Sequence, residues 1–285
     1  MIALAALVVL SGWLWWEKVY MNPTRVFWSM MSNNLATDSV VRHTHQTQSG
    51  QTSDEYIQIA FGAVNASRSV TTLSQNDAAG PTTVVSETIG TPTNDYSRYI
   101  SIKTTQKSST GKLPDTSKVV GIWGKTPDAP AGQKPSLQYF QQGVLGIVPF
   151  ANLTNTQRSD LVKIMRDDNV YDIAAGAPKR TKVGKRAAYV YSVNINPAAY
   201  IGMLGQYAKD LGLGDIGLDP SQYAGSQPLK ADFTVDKLSR QLVSISYTGT
   251  TQSETFSSQG LEQPITLPTQ TIPISDLQNR VQSIQ

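Results

Sequence analysis

The spacing of hydrophobic residues changes several times along this chain, and each change marks a different kind of element. Ile2 to Trp16 is an apolar run relieved by Ser11-Gly12 and closed by Trp13, Trp15 and Trp16. After Asn22-Pro23, Val26, Phe27, Met30 and Leu35 fall near one helical face. Asn can accept a free first-turn amide and Pro lacks the amide that would be orphaned, so a helix is predicted from about Pro23 to Ala36, packed on a sheet. From Ser39 to Trp123 the period drops to two. Ile57, Ile59 and Phe61 share one side of a strand, Ile100 and Ile102 share another, and Val120 and Ile122 a third. Turn clusters such as Asn76-Asp77 and Ala79-Gly80-Pro81 separate them, which predicts five or six consecutive antiparallel strands. Lys125 to Pro135, with Pro127, Pro130, Gly132 and Pro135, reads as a loop or internal linker.

The second half repeats this order more loosely. Thr154 and Gln157 form a capping box ahead of Leu161, Ile164 and Met165, predicting a helix to about Asp168. A strand over Ala187 to Ile195 puts Tyr189, Tyr191, Val193 and Ile195 on one face. Asn196-Pro197 then opens a helix carrying Ile201, Leu204, Ala208 and Leu211 at helical spacing, with Gly212 as its stop and with Tyr200, Met203 and Tyr207 widening the apolar surface. Strands Leu229 to Val235 and Gln241 to Thr248 follow, joined at Asp236-Lys237-Leu238-Ser239. Pro264 to Pro273 reads as extended and a short helix begins near Ser275-Asp276. There is no repeat of fixed length. The fold class is α+β: one long antiparallel sheet with helices packed on one face.

The opening run divides the chain into an N-terminal transmembrane anchor, residues 1–21, and an extracytoplasmic domain, residues 22–285. At 1.5 Å per residue the run rises only about 22 Å, short of the ~30 Å hydrocarbon core, so it is thinly inserted or the end of a longer helix. A cleaved signal peptide is the rival reading. No Lys or Arg precedes the run, no small-x-small cleavage site follows it, and tryptophans clustered where Glu17 and Lys18 begin match an interfacial aromatic belt. The location predicted is therefore the cell membrane, with one N-terminal anchor.

The remaining length, about 260 residues, suffices for one large domain or two small ones. Lys plus Arg number 24 against 21 acids, without the concentrated basic face that nucleic-acid binding requires. The absence of Cys excludes disulfides, thiolate metal sites and a lipid-modified cysteine.

Several motifs carry chemistry in letters. Gly212-Leu213-Gly214-Asp215-Ile216-Gly217 spells a dinucleotide fingerprint, but it follows a helix where the motif must open one. Ser109-Thr110-Gly111-Lys112 lies in a polar turn, without the buried helix start that a Ser-x-x-Lys nucleophile needs. His43 and His45, the two histidines, share a strand face without an identifiable third ligand, so no metal or other cofactor is expected. Asp215 and Asp219 offer oxygen donors, but a solvated loop accounts for them. No convergent acid, base and nucleophile is present, which argues against an enzyme. Lys179, Arg180, Lys182, Lys185 and Arg186 crowd around Gly184 as a solvated hairpin tip or as a contact with anionic lipid head groups.

The order of elements resembles the LolA/LppX-like lipoprotein-carrier family. Ala231 through Val243 is similar to that family's strand, acidic turn and strand; Phe256 through Pro268 to its closing aromatic, glycine and proline pattern; and Asn22 through Leu35 to its opening helix. The resemblance implies that the long antiparallel sheet curves into a half-barrel with the helices packed on its concave face, and that the chain is a non-enzymatic binding protein enclosing a lipid or lipidated partner in an apolar cavity. The domain beyond the anchor is expected to be a monomeric ectodomain. Tyr189, Tyr191, Tyr200, Ile201, Met203, Leu204 and Tyr207 are the candidate cavity residues. Members commonly carry a lipidated cysteine, whose place the apolar helix would take here. The alternative is a structural or adhesive cell-envelope protein with a solid core and no ligand.

Overall fold

The computed structural model describes residues 20–78, 80–107, 111–127, 139–213, 216–261 and 263–284. The predicted anchor lies outside these, apart from Tyr20 and Met21. Among the described residues no helix is long and apolar enough to cross a membrane. The fold is α+β, with antiparallel pairing throughout except where noted, and the chain divides into two compact units. One comprises 20–36 and 153–248, the other 37–152 and 249–284.

In the first unit, helix α1 (Pro23–Asn34) starts as the sequence predicts, with the Asn22 side chain accepting from the Arg25 amide. Helix α3 (Asn155–Asp167) makes both halves of its capping box between Thr154 and Gln157. Helix α4 (Pro197–Asp210) is capped by Asn196, and the chain leaves it through Gly212 at φ +72°, a left-handed conformation that a Cβ would strain. The sheet runs β11 (Leu242–Tyr247), β10 (Leu229–Asp236), β9 (Arg186–Ile195). Two short strands then share the far edge of β9, β7 (Tyr171–Ile173) and β8 (Lys179–Val183). Register sets Phe233 opposite Tyr191 and Val235 opposite Tyr189, so these rings fill one face together. Phe27 of α1 inserts among them, its ring centroid 5.3 Å from that of Tyr191 and 6.2 Å from that of Phe233.

The second unit is a sheet in the order β13-β6-β5-β4-β3-β2-β1-β12. Its long strands are β1 (Ser39–Gln48), β2 (Gln51–Ala60), β3 (Ala66–Asp77), β4 (Gly80–Gly90) and β5 (Asp95–Thr104). The flanks are β12 (Ser253–Ser257), β6 (Gly124–Lys125) and β13 (Ile272–Pro273), the last pairing parallel with β6. Helix α2 (Tyr139–Val144) lies across one end of a sheet face, where Gly143 approaches Ser67 and Gly90 approaches Phe140 too closely for any Cβ. Buried Arg42 donates through Nη2 to the Gln142 carbonyl, one of the last carbonyls of this helix. Helix α5 (Ile274–Ile284) completes the unit.

Two expectations fail here. Val120 and Ile122 do not share a strand. Residues Thr116–Lys118 form a 3-10 helix, and Val120 makes an isolated parallel bridge to Tyr99. Ile100 and Ile102 do not share a face, because Val85 pairs with Ser101 while Ser86 pairs with Tyr99, leaving Ile100 as the extra residue of a β-bulge. An inserted residue reverses side-chain parity, so Ile102 joins Tyr99 instead, and Ile100 is left 39% exposed.

Candidate functional site

The bulge matters because it builds a groove in the second unit. Opposite register partners Val84 and Ile102 lie on the face where Ser86 meets Tyr99, and Thr82 meets Thr104 beside them. Above this patch sits α5, whose apolar residues Ile274, Leu277, Val281 and Ile284 recur at helical spacing and form one stripe. The first half of the stripe docks. Gly124 has no Cβ, and an added one would meet Ile274 Cδ1 at 2.7 Å and Leu277 Cδ2 at 3.0 Å, so these two side chains settle onto the strand backbone and Leu277 is buried. The second half does not dock. Val281 and Ile284 stand off from Val84, Tyr99, Ile102 and Pro114 across a groove of about 450 Å³. That lies within the ~300–1,000 Å³ of typical ligand sites, and its walls are mainly apolar, with Thr82, Thr104, Gln106 and Lys107 as the polar lining residues. Burial raises the pKa of the Tyr139 phenol of α2 above the usual 10.0, opposed by its hydrogen bond with Ser97 and reinforced by Asp95 and by Tyr99 of the groove wall.

The residues predicted to line a cavity lie in the first unit. Tyr189, Tyr191, Ile201, Met203, Leu204 and Tyr207 are buried, and Tyr200 is half-buried. Tyr189 Oη donates to the Met21 carbonyl at 3.2 Å and Tyr191 Oη to the Pro23 carbonyl at 2.8 Å, so both phenols are spent on fixing α1 to the sheet. Burial, and then the neighbouring Tyr189, hold the Tyr191 phenol far above its ordinary pKa. Tyr200 and Tyr207 approach Tyr171, whose own phenol is raised well above 10.0 by complete burial and then by Tyr200, Tyr247 and Tyr207. The groove of the second unit is not legible in the sequence, since it depends on a bulge without a local signal, although the helix above it begins within a residue or so of where the sequence predicts it.

Lys179, Arg180, Lys182, Lys185 and Arg186 do form a hairpin, β8 and β9 with Gly184 at φ +59° in the tip. Arg186 Nε lies 3.2 Å from Asp236 Oδ2 and the other four cations are exposed. His43 and His45 share a face as predicted, and the residue between them is Asp54. Its Oδ1 is 2.7 Å from His45 Nδ1 and 3.4 Å from His43 Nε2, and His43 stacks on Tyr56 at 4.1 Å. Among the described residues no group of three or more His, Cys, Asp or Glu is arranged to hold a metal. Asp219 accepts from Ser221 as the cap of a 3-10 helix, whereas Gly214 and Asp215 lie outside the described residues, as do Ser109 and Thr110.

On the opposite face of the second unit, Arg68, Glu87 and Arg98 form a row across three strands. Arg68 Nε is 2.5 Å from Glu87 Oε1 and Arg98 Nη2 is 2.5 Å from Glu87 Oε2, with the Arg98 guanidinium 4.6 Å above the Trp123 ring. Pro264 to Gln270 runs along this row and leaves a groove of about 620 Å³.

No protein-family model matches the chain, and no curated protein matches it. Among solved structures, the crystal structure of LprF from Mycobacterium bovis matches 86% of this chain and 95% of its own, with a TM-score of 0.42 at 13% sequence identity.

Proposed function

We propose that this chain is a non-enzymatic binding protein, tethered to a membrane by its apolar N-terminal run, that holds an acyl chain or a lipidated partner in the groove beneath α5. The observation that carries this reading is the undocked half of the α5 stripe. Val281 and Ile284 are apolar, face an apolar strand patch, and are separated from it by a space of ligand size. Each methylene buried there would contribute about 0.8 kcal/mol, so affinity needs no catalytic or charged group. The resemblance of the Ala231 to Val243 stretch to the carriers supports the same reading, and the structure places this stretch as two strands around an Asp236 turn.

The test is mass spectrometry of organic extracts from the purified chain, with Ile102→Trp and Val281→Trp beside the parent. A ligand groove accepts the added volume, so the variants are expected to lose co-purified lipid while keeping their melting temperature. Lowered melting temperatures with no lipid in the parent would overturn the reading. That pattern would favour a structural or adhesive envelope protein, which the tightly packed Tyr189 and Tyr191 face already suits.

A further inference from the structure

We infer that the end of the first unit around Tyr20 is a docking surface for an anionic lipid bilayer, with Lys182, Lys185, Lys237 and Arg240 as its contact charges. This rests on the membrane-tethered reading above and adds to it the face that the domain turns toward the membrane. Two independent contacts fix where the chain enters this unit. Arg240 Nη2 donates to the Tyr20 carbonyl at 3.2 Å with its guanidinium 4.2 Å over the Tyr20 ring, and Tyr189 Oη holds the Met21 carbonyl. Tyr20 is four residues beyond Trp16, the end of the apolar run. The entry point is therefore the end of the sheet where β9 begins and β10 turns into β11.

The same end gathers cations from two separate turns. Lys182 pairs with Ala187 and Val183 with Arg186, which brings the β8–β9 tip beside the start of β9. The Lys237 amide donates to the Ala187 carbonyl at 3.0 Å, which joins the β10–β11 turn to that tip, and Lys237 Nζ lies 4.7 Å over the Tyr189 ring. The carboxylate among these cations, Asp236, is 1% exposed, and its Oδ1 accepts from the Leu238 and Ser239 amides. Its Oδ2 lies 3.2 Å from Arg186 Nε, so it is paired with that one cation and leaves this end positive through Lys182, Lys185, Lys237 and Arg240. Lysine and arginine next to an apolar segment with interfacial aromatics are the charge arrangement that anionic head groups attract. Tyr20 and Tyr189 hold two of these charges in place by ring contact, so the collar is part of the fold.

The absence of Cys makes the test direct. Ala187→Cys places a nitroxide at the collar without removing a charge. Asp172→Cys places one beside Asn194, seven residues further along β9 and so about 23 Å away. The full chain is reconstituted in vesicles of phosphatidylcholine alone and of phosphatidylcholine mixed with phosphatidylglycerol. In the mixed vesicles the 187 label is expected to lose most of its accessibility to a water-soluble relaxant and to regain it at high salt, while the 172 label stays accessible. Combining Lys182→Gln, Lys185→Gln and Lys237→Gln is expected to abolish that loss. Equal accessibility of both labels in the mixed vesicles, or a loss at 187 that survives the triple substitution, would overturn the inference. Lipid in the groove is read separately by extraction of the same preparation, so failure of one reading is distinguishable from failure of the other.

Discussion

Gly90 and Phe140 touch backbone to backbone: a Cβ built on Gly90 would stand 2.1 Å from the Phe140 amide nitrogen. Neither partner is a flexible side chain tip, so neither yields without moving α2 off the sheet. Gly90→Ala is therefore expected to cost roughly 1–3 kcal/mol by overpacking. Gly62→Ala is the control, because nothing lies within 4 Å of a Cβ there. Thermal unfolding of the two variants checks this; equal melting temperatures would refute the close approach.

Glu87 is buried with 3% of its side chain exposed, while its partners Arg68 and Arg98 keep 41% and 33%. Losing one arginine leaves the carboxylate paired with the other. Losing both leaves a buried charge without a partner, the costly case for buried ion pairs. Arg68→Gln combined with Arg98→Gln is thus expected to destabilise by more than the sum of the single changes, with a coupling of about 0.5–3 kcal/mol. Denaturant midpoints of the full double-mutant cycle measure it, and strict additivity would refute it.

The turn at Asp236 offers a distinction between charge and shape. Asp236 Oδ1 accepts from the amides of Leu238 at 3.0 Å and Ser239 at 2.9 Å, as Asp does in tight turns. Asp236→Ala leaves those amides without their acceptor and is expected to cost about 1–3 kcal/mol. Asp236→Asn keeps the acceptor and is expected to recover much of that loss. If Asn is no better than Ala in chemical unfolding, the turn bonds are not what the side chain supplies.

Asp54 sets a pH dependence. The hydrogen bond from His45, opposed by desolvation and aided by His43, holds its carboxyl below the usual 3.8. A carboxyl with a depressed folded pKa contributes stability that is present above its unfolded pKa and lost as pH falls through the folded one. The parent is therefore expected to exceed Asp54→Asn in melting temperature above about pH 4, with the two curves converging in more acid solution. Parallel curves across the acid range would show that the pair adds nothing.

Much of the fold could be read from local chemistry. Caps at Asn22, Thr154 and Asn196 each form the bond their side chains suggest, and the alternation at Tyr189, Tyr191, Val193 and Ile195 buries all four. Such elements depend on neighbours a few residues away. The groove does not. Its wall needs Ile100 to be skipped in pairing with β4, which depends on the partner strand and leaves no trace in the alternation around it. The meeting of Asp54 with His43 and His45 is illegible in the sequence for a similar reason, since it is a cross-strand event between β1 and β2.

The half-docked helix has a thermodynamic consequence. Eleven residues are too few to stay helical alone in water, so the order of α5 comes from what lies under it. Ile274 and Leu277 supply that for the first turns, whereas the last turn, Val281 and Ile284, has the groove beneath it. Any molecule that fills the space binds the wound form of that turn and not the frayed one, and by linkage it must raise the free energy of fraying. Amide exchange at the final residues of α5 is thus a readout of occupancy, set by the concentration and affinity of whatever the groove takes up.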